Sequence, residues 1–120
     1  MMTFGQLIKD TRLMLVDKGA VEELTDSDYA QFATAGMKLM WELCPQCRLA
    51  DTGRTVNTWA KADPGEPDVQ LCVNTTYYHP LLDYVMFRYY DRDSGDSRDK
   101  KQARYYWDQF ARTLDLVGGK

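Results

Sequence analysis

His79-Pro80-Leu81-Leu82-Asp83-Tyr84-Val85-Met86-Phe87-Arg88-Tyr89-Tyr90-Asp91-Arg92-Asp93 decides the architecture of this chain. Pro80 suits the first position of a helix, where its missing N–H costs nothing, and His79 then reads as the N-cap or the residue before it. Leu82, Val85, Met86 and Tyr89 recur at helical spacing as one apolar stripe. Tyr84 and Phe87 fall off that stripe, so they are expected to point away from it. Aromatics on two faces exceed what one small core covers, and the excess predicts a partner.

Outward from this stretch the same spacing recurs three more times. Thr3 and Gln6 suit a capping box, and Phe4, Leu7, Ile8, Thr11 and Leu15 share a face of a helix from about 4 to 16, closed by Lys18-Gly19. Thr25 caps a second helix, about 26–43, with Asp26 and Asp28 in its anion-favouring first turn. Its buried face is Tyr29, Phe32, Ala33, Gly36, Met37 and Met40, and Pro45 ends it. The quoted stretch is the third helix, about 80–90. Ser97 caps a fourth, about 98–116, with the stripe Ala103, Tyr106, Trp107, Phe110 and Leu114, and Gly118-Gly119 stops it.

Residues 46–76 read differently. Asp51-Thr52-Gly53-Arg54 and Asp63-Pro64-Gly65-Glu66-Pro67 are turn signals. Residues 55–59 and 69–73 alternate weakly, as half-buried strands do. The expectation is a single, mainly α domain over 1–120: a four-helix body of two helical pairs with a short β-ribbon or irregular insertion in the middle.

Composition narrows the function classes. With 44% apolar and 28% charged residues the chain fits an ordinary soluble globular protein. A net charge of −3 argues against a dedicated nucleic-acid binder, which usually carries a basic excess. No apolar run approaches the roughly 20 residues of a membrane span. The first residues show no signal-peptide pattern, and three cysteines disfavour a disulfide framework, so a reducing compartment is expected.

The chemical candidates are few. Cys44-Pro45-Gln46-Cys47, with Cys72 and His79, could make a Cys3His zinc set or support thiol chemistry. The spacing is not that of a zinc finger, and the C-x-x-C closes a helix, away from the end that lowers a thiol pKa. The single histidine offers no triad beyond a Cys–His pair that nothing local supports. Asp91-x-Asp93-x-Gly95-Asp96 lacks the twelve-residue calcium loop and its closing Glu. Nucleotide-binding and hydrolase motifs do not occur. The expectation is a protein that is not an enzyme, with no metal or cofactor; the alternative is a small zinc- or thiol-dependent protein on Cys44, Cys47, Cys72 and His79.

Assembly is better supported. Ten of the chain's 15 aromatics lie between Tyr77 and Phe110. Arg98, Lys100, Lys101, Arg104 and Arg112 make the fourth helix locally basic, while residues 10–28 hold six carboxylates against Arg12 and Lys18. Tyr84, Phe87, Lys100, Lys101 and Arg104 are therefore the candidate subunit interface, and a cyclic ring would join two different patches of one subunit. Leu114, Leu116 and Val117 are expected beyond the reach of a short hairpin core, with Gly118-Gly119-Lys120 after them.

The order of these segments resembles a known family. Thr3-Phe4-Gly5-Gln6-Leu7-Ile8 opens the chain, Leu24-Thr25-Asp26-Ser27-Asp28-Tyr29 leads a helix to Trp41-Glu42-Leu43-Cys44-Pro45, and Leu81-Leu82-Asp83-Tyr84-Val85 precedes an Asp-rich turn and Arg104-Tyr105-Tyr106-Trp107-Asp108-Gln109-Phe110. Over about two-thirds of its length the chain resembles the head-to-tail adaptor (connector or gatekeeper) proteins of tailed bacteriophages, with the middle insertion reduced. The resemblance implies a structural virion protein at the head–tail junction, assembled in the host cytoplasm. It implies a homo-oligomeric ring, commonly dodecameric, that binds the portal protein, docks the tail tube or nozzle protein and extends the channel through which genomic DNA passes without specific binding. It further implies portal contacts from Phe110 to Lys120, including Leu114, Leu116 and Val117, and tail or neighbour contacts from residues 46–76.

Overall fold

Thr25 and Asp28 show how locally this chain sets its helix ends. The Asp28 N–H donates to Thr25 Oγ1 at 3.3 Å and the Thr25 N–H donates to the Asp28 carboxylate at 3.0 Å. This reciprocal box satisfies first-turn donors that would otherwise lack partners. It starts α2, Asp26–Leu43, one of four helices in a computed structural model that describes residues 2–17, 24–92 and 97–117. The others are α1 (Phe4–Asp17), α3 (Tyr78–Asp91) and α4 (Ser97–Val117), with 3-10 turns at Pro45–Arg48 and Thr75–Tyr77. The expected closures at Lys18-Gly19 and Gly118-Gly119 and the turn at 93–96 lie outside the described residues, as does the side chain of Ser97.

The body is mainly helical, as the spacing predicts. On α1 Phe4, Leu7, Ile8, Thr11 and Leu15 are buried, and the Thr11 hydroxyl donates to the Leu7 carbonyl at 2.8 Å. Half of the expected box forms there. The Gln6 N–H donates to Thr3 Oγ1, while the Gln6 amide turns to Asp10 at 2.8 Å instead of reaching back. On α2 the whole predicted face is buried.

α3 corrects three expectations. It begins at Tyr78, not Pro80, because the 3-10 turn Thr75–Tyr77 runs straight into it. Asn74 Oδ1 accepts from the Thr76 N–H at 2.9 Å and caps that turn, so His79 is no cap. Pro80 still sits in the first turn, where no intrahelical donor is lost. Tyr84 does not point outward: it is buried, and Phe87 is half-buried. The reason is that α3 is the central helix, packed against α1, α2 and α4, and it buries residues almost all round. At Gly36 of α2 an added Cβ would lie 2.8 Å from a ring carbon of Tyr84 and 2.9 Å from Leu81, so only glycine permits this approach. On its other side α3 meets α4 through rings: Tyr84–Phe110 at 5.3 Å, Phe87–Trp107 at 5.2 Å and Tyr90–Tyr106 at 5.9 Å between centroids.

The β-ribbon does not form. Residues 55–59 and 69–73 do not pair with each other; two isolated antiparallel bridges, Thr3 with Gln70 and Leu49 with Val56, are the β contacts among the described residues. The middle is the irregular form of the expected insertion. The apolar residues that gave it alternation face helices instead: Leu71, Cys72 and Val73 are buried, Trp59 stands edge-on to Trp41 at 5.2 Å, and the Ala62 N–H donates to Thr34 Oγ1 at 3.0 Å. The turn signals hold. Gly53 takes φ +73° and Asp63 accepts from the Gly65 N–H at 2.9 Å.

Candidate functional site

The end of α2 and its 3-10 turn bring Cys44 and Cys47 into the interior, near Cys72 of the middle segment. All three are free and buried. Cys44 Sγ lies 3.2 Å from the Tyr77 hydroxyl and donates to Gln46 Oε1 at 3.3 Å; Cys72 Sγ donates to the Ala60 carbonyl at 3.3 Å. Burial, with Cys44 nearby, pushes the Cys47 thiol up to about 12, and burial raises Cys72 as well. Thiols held neutral are poor nucleophiles and poor metal ligands. His79 is exposed on α3, apart from these buried sulfurs. Among the described residues no group of three or more His, Cys, Asp or Glu converges as a metal site needs. The four residues of the zinc alternative are thus not brought together.

Asp83 is the perturbed carboxylate. It sits half-buried on the central helix, and desolvation raises it to about 6, partly offset by His79 one turn earlier.

The surface is more informative than the interior. Trp107 is 39% exposed although it falls on the predicted α4 stripe, and it divides two cavities that flank it. One, of about 480 Å3, is lined by Leu43, Cys44, Phe110, Ala111 and Leu114; the other, of about 360 Å3, by Phe87, Ala103, Lys100 and Arg104. The two cavities make an aromatic groove along α4 whose half beside Phe87 carries Lys100, Arg104 and Asp91 and whose half beside Leu114 carries Asp115. Elsewhere on α4 Tyr105 is 52% exposed, its ring edge-on to Tyr106.

Comparison with protein-family models, with characterised proteins and with solved structures found no match. The site therefore has to be read from its own geometry.

That geometry redistributes the expected interface residues. Lys100, Lys101 and Arg104 are exposed, as anticipated, and Phe87 reaches the groove. Tyr84 is removed from the surface. Phe110 is 1% exposed and Leu114 is buried, so both belong to the core rather than to a free end; the side chains of Leu116 and Val117, and Lys120, lie outside the described residues. Leu114 stays within reach of the hairpin because α4 packs along the length of α3.

A second apolar surface was not anticipated. Leu13 and Val16 on α1 are 55% and 68% exposed and, with Gly5, Ile8 and Pro67, line an open depression of about 430 Å3. Arg12 and Asp26 close its edge with an ion pair at 2.6 Å. The signal was present: Leu13 and Val16 are one turn apart and fall off the Phe4-Leu7-Ile8-Thr11-Leu15 face. α1 packs on α2 and α3, and α4 mainly on α3, so the two apolar surfaces occupy different flanks of one subunit.

Proposed function

We propose that this protein is a head-to-tail adaptor of a tailed bacteriophage: a structural ring subunit below the portal that extends the DNA channel and docks the tail. The observation that carries the reading is the α3–α4 unit. The two helices that bear the family resemblance, α3 and α4, pack on each other through Tyr84–Phe110 and Phe87–Trp107 and leave an aromatic groove beside Trp107 uncovered. Monomeric proteins rarely leave such a surface exposed without a partner. Two apolar flanks on one subunit are also what a heterologous ring contact requires. A net charge of −3 suits a channel through which DNA moves, because phosphate binding draws on cations.

The test is co-sedimentation of the purified chain with its cognate portal ring, followed by electron microscopy of the product. An added ring stacked on the portal is the expected result, and failure to co-sediment at any ratio overturns the reading. Truncation after Asp115 locates the anchor. It keeps the buried Leu114, so the subunit should stay folded while portal binding is lost. Unchanged binding by the truncated chain would reverse the orientation, placing the middle segment toward the head.

A further inference from the structure

We propose that Cys44 and Cys47 are a redox pair opened from the hollow beside Trp107: Cys44 takes a small-molecule disulfide, and Cys47 then closes an internal disulfide. The inference does not depend on the adaptor reading. Geometry pairs these two of the three buried thiols. The Cys47 N–H donates to the Cys44 carbonyl at 3.0 Å, an i-to-i+3 bond of the 3-10 turn that follows α2. In such a turn the side chains at i and i+3 eclipse, and a rise of about 2 Å per residue sets their Cα atoms about 6 Å apart. That separation lies inside the range a disulfide spans, roughly 4.4–6.8 Å. Cys72 is held elsewhere: its thiol donates to the Ala60 carbonyl at 3.3 Å and lies 3.6 Å from Met37 Sδ.

Access and activation assign the roles. Cys44 lines the hollow of about 480 Å3 between the end of α2 and α4, with Leu43, Gln46 and Trp107. Cys47 is fully buried, so an oxidant in the hollow meets Cys44 first. Cys44 Sγ donates to Gln46 Oε1 at 3.3 Å and lies 3.2 Å from the Tyr77 hydroxyl. Burial and the contact with Cys44 raise the Tyr77 pKa, so this hydroxyl keeps its proton and can donate to a thiolate at Cys44. Cys47 is held neutral by burial and then by the Cys44 charge. Capping Cys44 removes the second cause, so Cys47 ionises more readily after the first step than before it. In that first step Cys44 gives its proton to water and its thiolate attacks one sulfur of R–S–S–R, forming Cys44–S–S–R and expelling a thiolate of R. In the second, Cys47 gives up its proton and attacks Cys44 Sγ, forming the Cys44–Cys47 bond and expelling the other thiolate of R. Each expelled thiolate takes up a proton, so two protein thiols are oxidised to one disulfide while one R–S–S–R is reduced to two R–SH. Closure turns Cys44 Sγ away from Tyr77 and Gln46 and so redraws one wall of the α4 groove.

The experiment exposes the folded, reduced full chain to oxidised glutathione at neutral pH and follows intact mass and non-reducing peptide maps. The wild-type chain should pass through one glutathione adduct on Cys44 and end two hydrogens lighter, with a Cys44–Cys47 disulfide and Cys72 still free to alkylate. Dithiothreitol should restore the starting mass. Cys47→Ser should stop at the Cys44 adduct, and Cys44→Ser should stay unmodified while folded. Cys47→Ala and Cys44→Ala replace these variants where circular dichroism shows that a buried serine is not tolerated. Tyr77→Phe should slow adduct formation about tenfold at neutral pH, the scale of one hydrogen bond to a charged group, and move the pH at which Cys44 reacts upward. Failure of the folded wild-type chain to react overturns the proposal. So does a first adduct on Cys47 or Cys72, or a wild-type chain that stops at the adduct as Cys47→Ser does. A Tyr77→Phe chain with the wild-type rate and pH profile overturns the activation of Cys44 by Tyr77.

Discussion

Helix α3 meets its two principal neighbours in opposite ways. Toward α2 it presses Tyr84 and Leu81 onto a bare glycine, Gly36. Toward α4 it stands off behind a layer of rings, with Tyr84–Phe110, Phe87–Trp107 and Tyr90–Tyr106 filling the gap. The first seam is set by what is missing from a side chain and the second by what is present. Removal should therefore damage the α4 seam most, and addition the α2 seam.

The largest expected effect is Phe110→Ala. Phe110 is 1% exposed and its ring lies against Tyr84 and Trp107, so its loss leaves a cavity that rigid rings cannot fill. A destabilisation of about 3–5 kcal/mol in urea unfolding is expected. A loss below about 1 kcal/mol would mean that the ring layer closes by collapse and that the contrast between the seams is false.

Gly36→Ala probes the other seam. Alanine favours the helix by up to about 1 kcal/mol over glycine, but its methyl group meets the Tyr84 ring at 2.8 Å. Overpacking of this kind costs about 1–3 kcal/mol, and a net loss of about 1 kcal/mol should appear. A more stable variant would show that α2 and α3 can separate freely.

The smallest effect tests how completely α3 is enclosed between the two seams. Desolvation raises Asp83 to about 6, so the folded state holds its proton more tightly than the unfolded chain does. Stability from this group is therefore full at low pH and declines as pH rises from about 4 to about 6. Asp83→Asn should remove that decline and stabilise the protein at pH 7 by on the order of 1 kcal/mol, allowing for partial exposure, with little change near pH 3.5. A pH-independent effect of Asp83→Asn would place this carboxylate in water.

What could be read from the sequence divides along similar lines. α2 was legible residue by residue, because it has one buried face and a 3.6-residue period expresses one face. α3 was legible as a helix but not in its orientation. A helix surrounded by three others has no single stripe, so Tyr84, which fell off the apparent stripe, was assigned outward when it fills the space over Gly36. Its start was missed because Pro80 marks a first turn without saying which residue of that turn it occupies. In the middle, Leu71, Cys72 and Val73 are all buried, so the weak alternation of the sequence reported apolar content rather than a strand with one wet face. The basic residues Lys100, Lys101 and Arg104 were correctly placed at the surface, since charge alone keeps them in water. Leu13 and Val16 were not, because the stronger stripe of α1 accounted for that helix.

The attachment of the chain's beginning has a temporal consequence. The Leu71 N–H donates to the Met2 carbonyl at 2.8 Å and the Gly5 N–H to the Pro67 carbonyl at 2.9 Å. These bonds join positions more than sixty residues apart, while the ring layer between α3 and α4 joins helices that end at Asp91 and begin at Ser97. Closing the longer loop carries the larger entropic cost, and non-local contacts form late. The α3–α4 hairpin is thus expected to form first and α1 to dock last, over a segment that has already settled on α2. An element that docks last through few long-range bonds is also the first to release in hydrogen exchange.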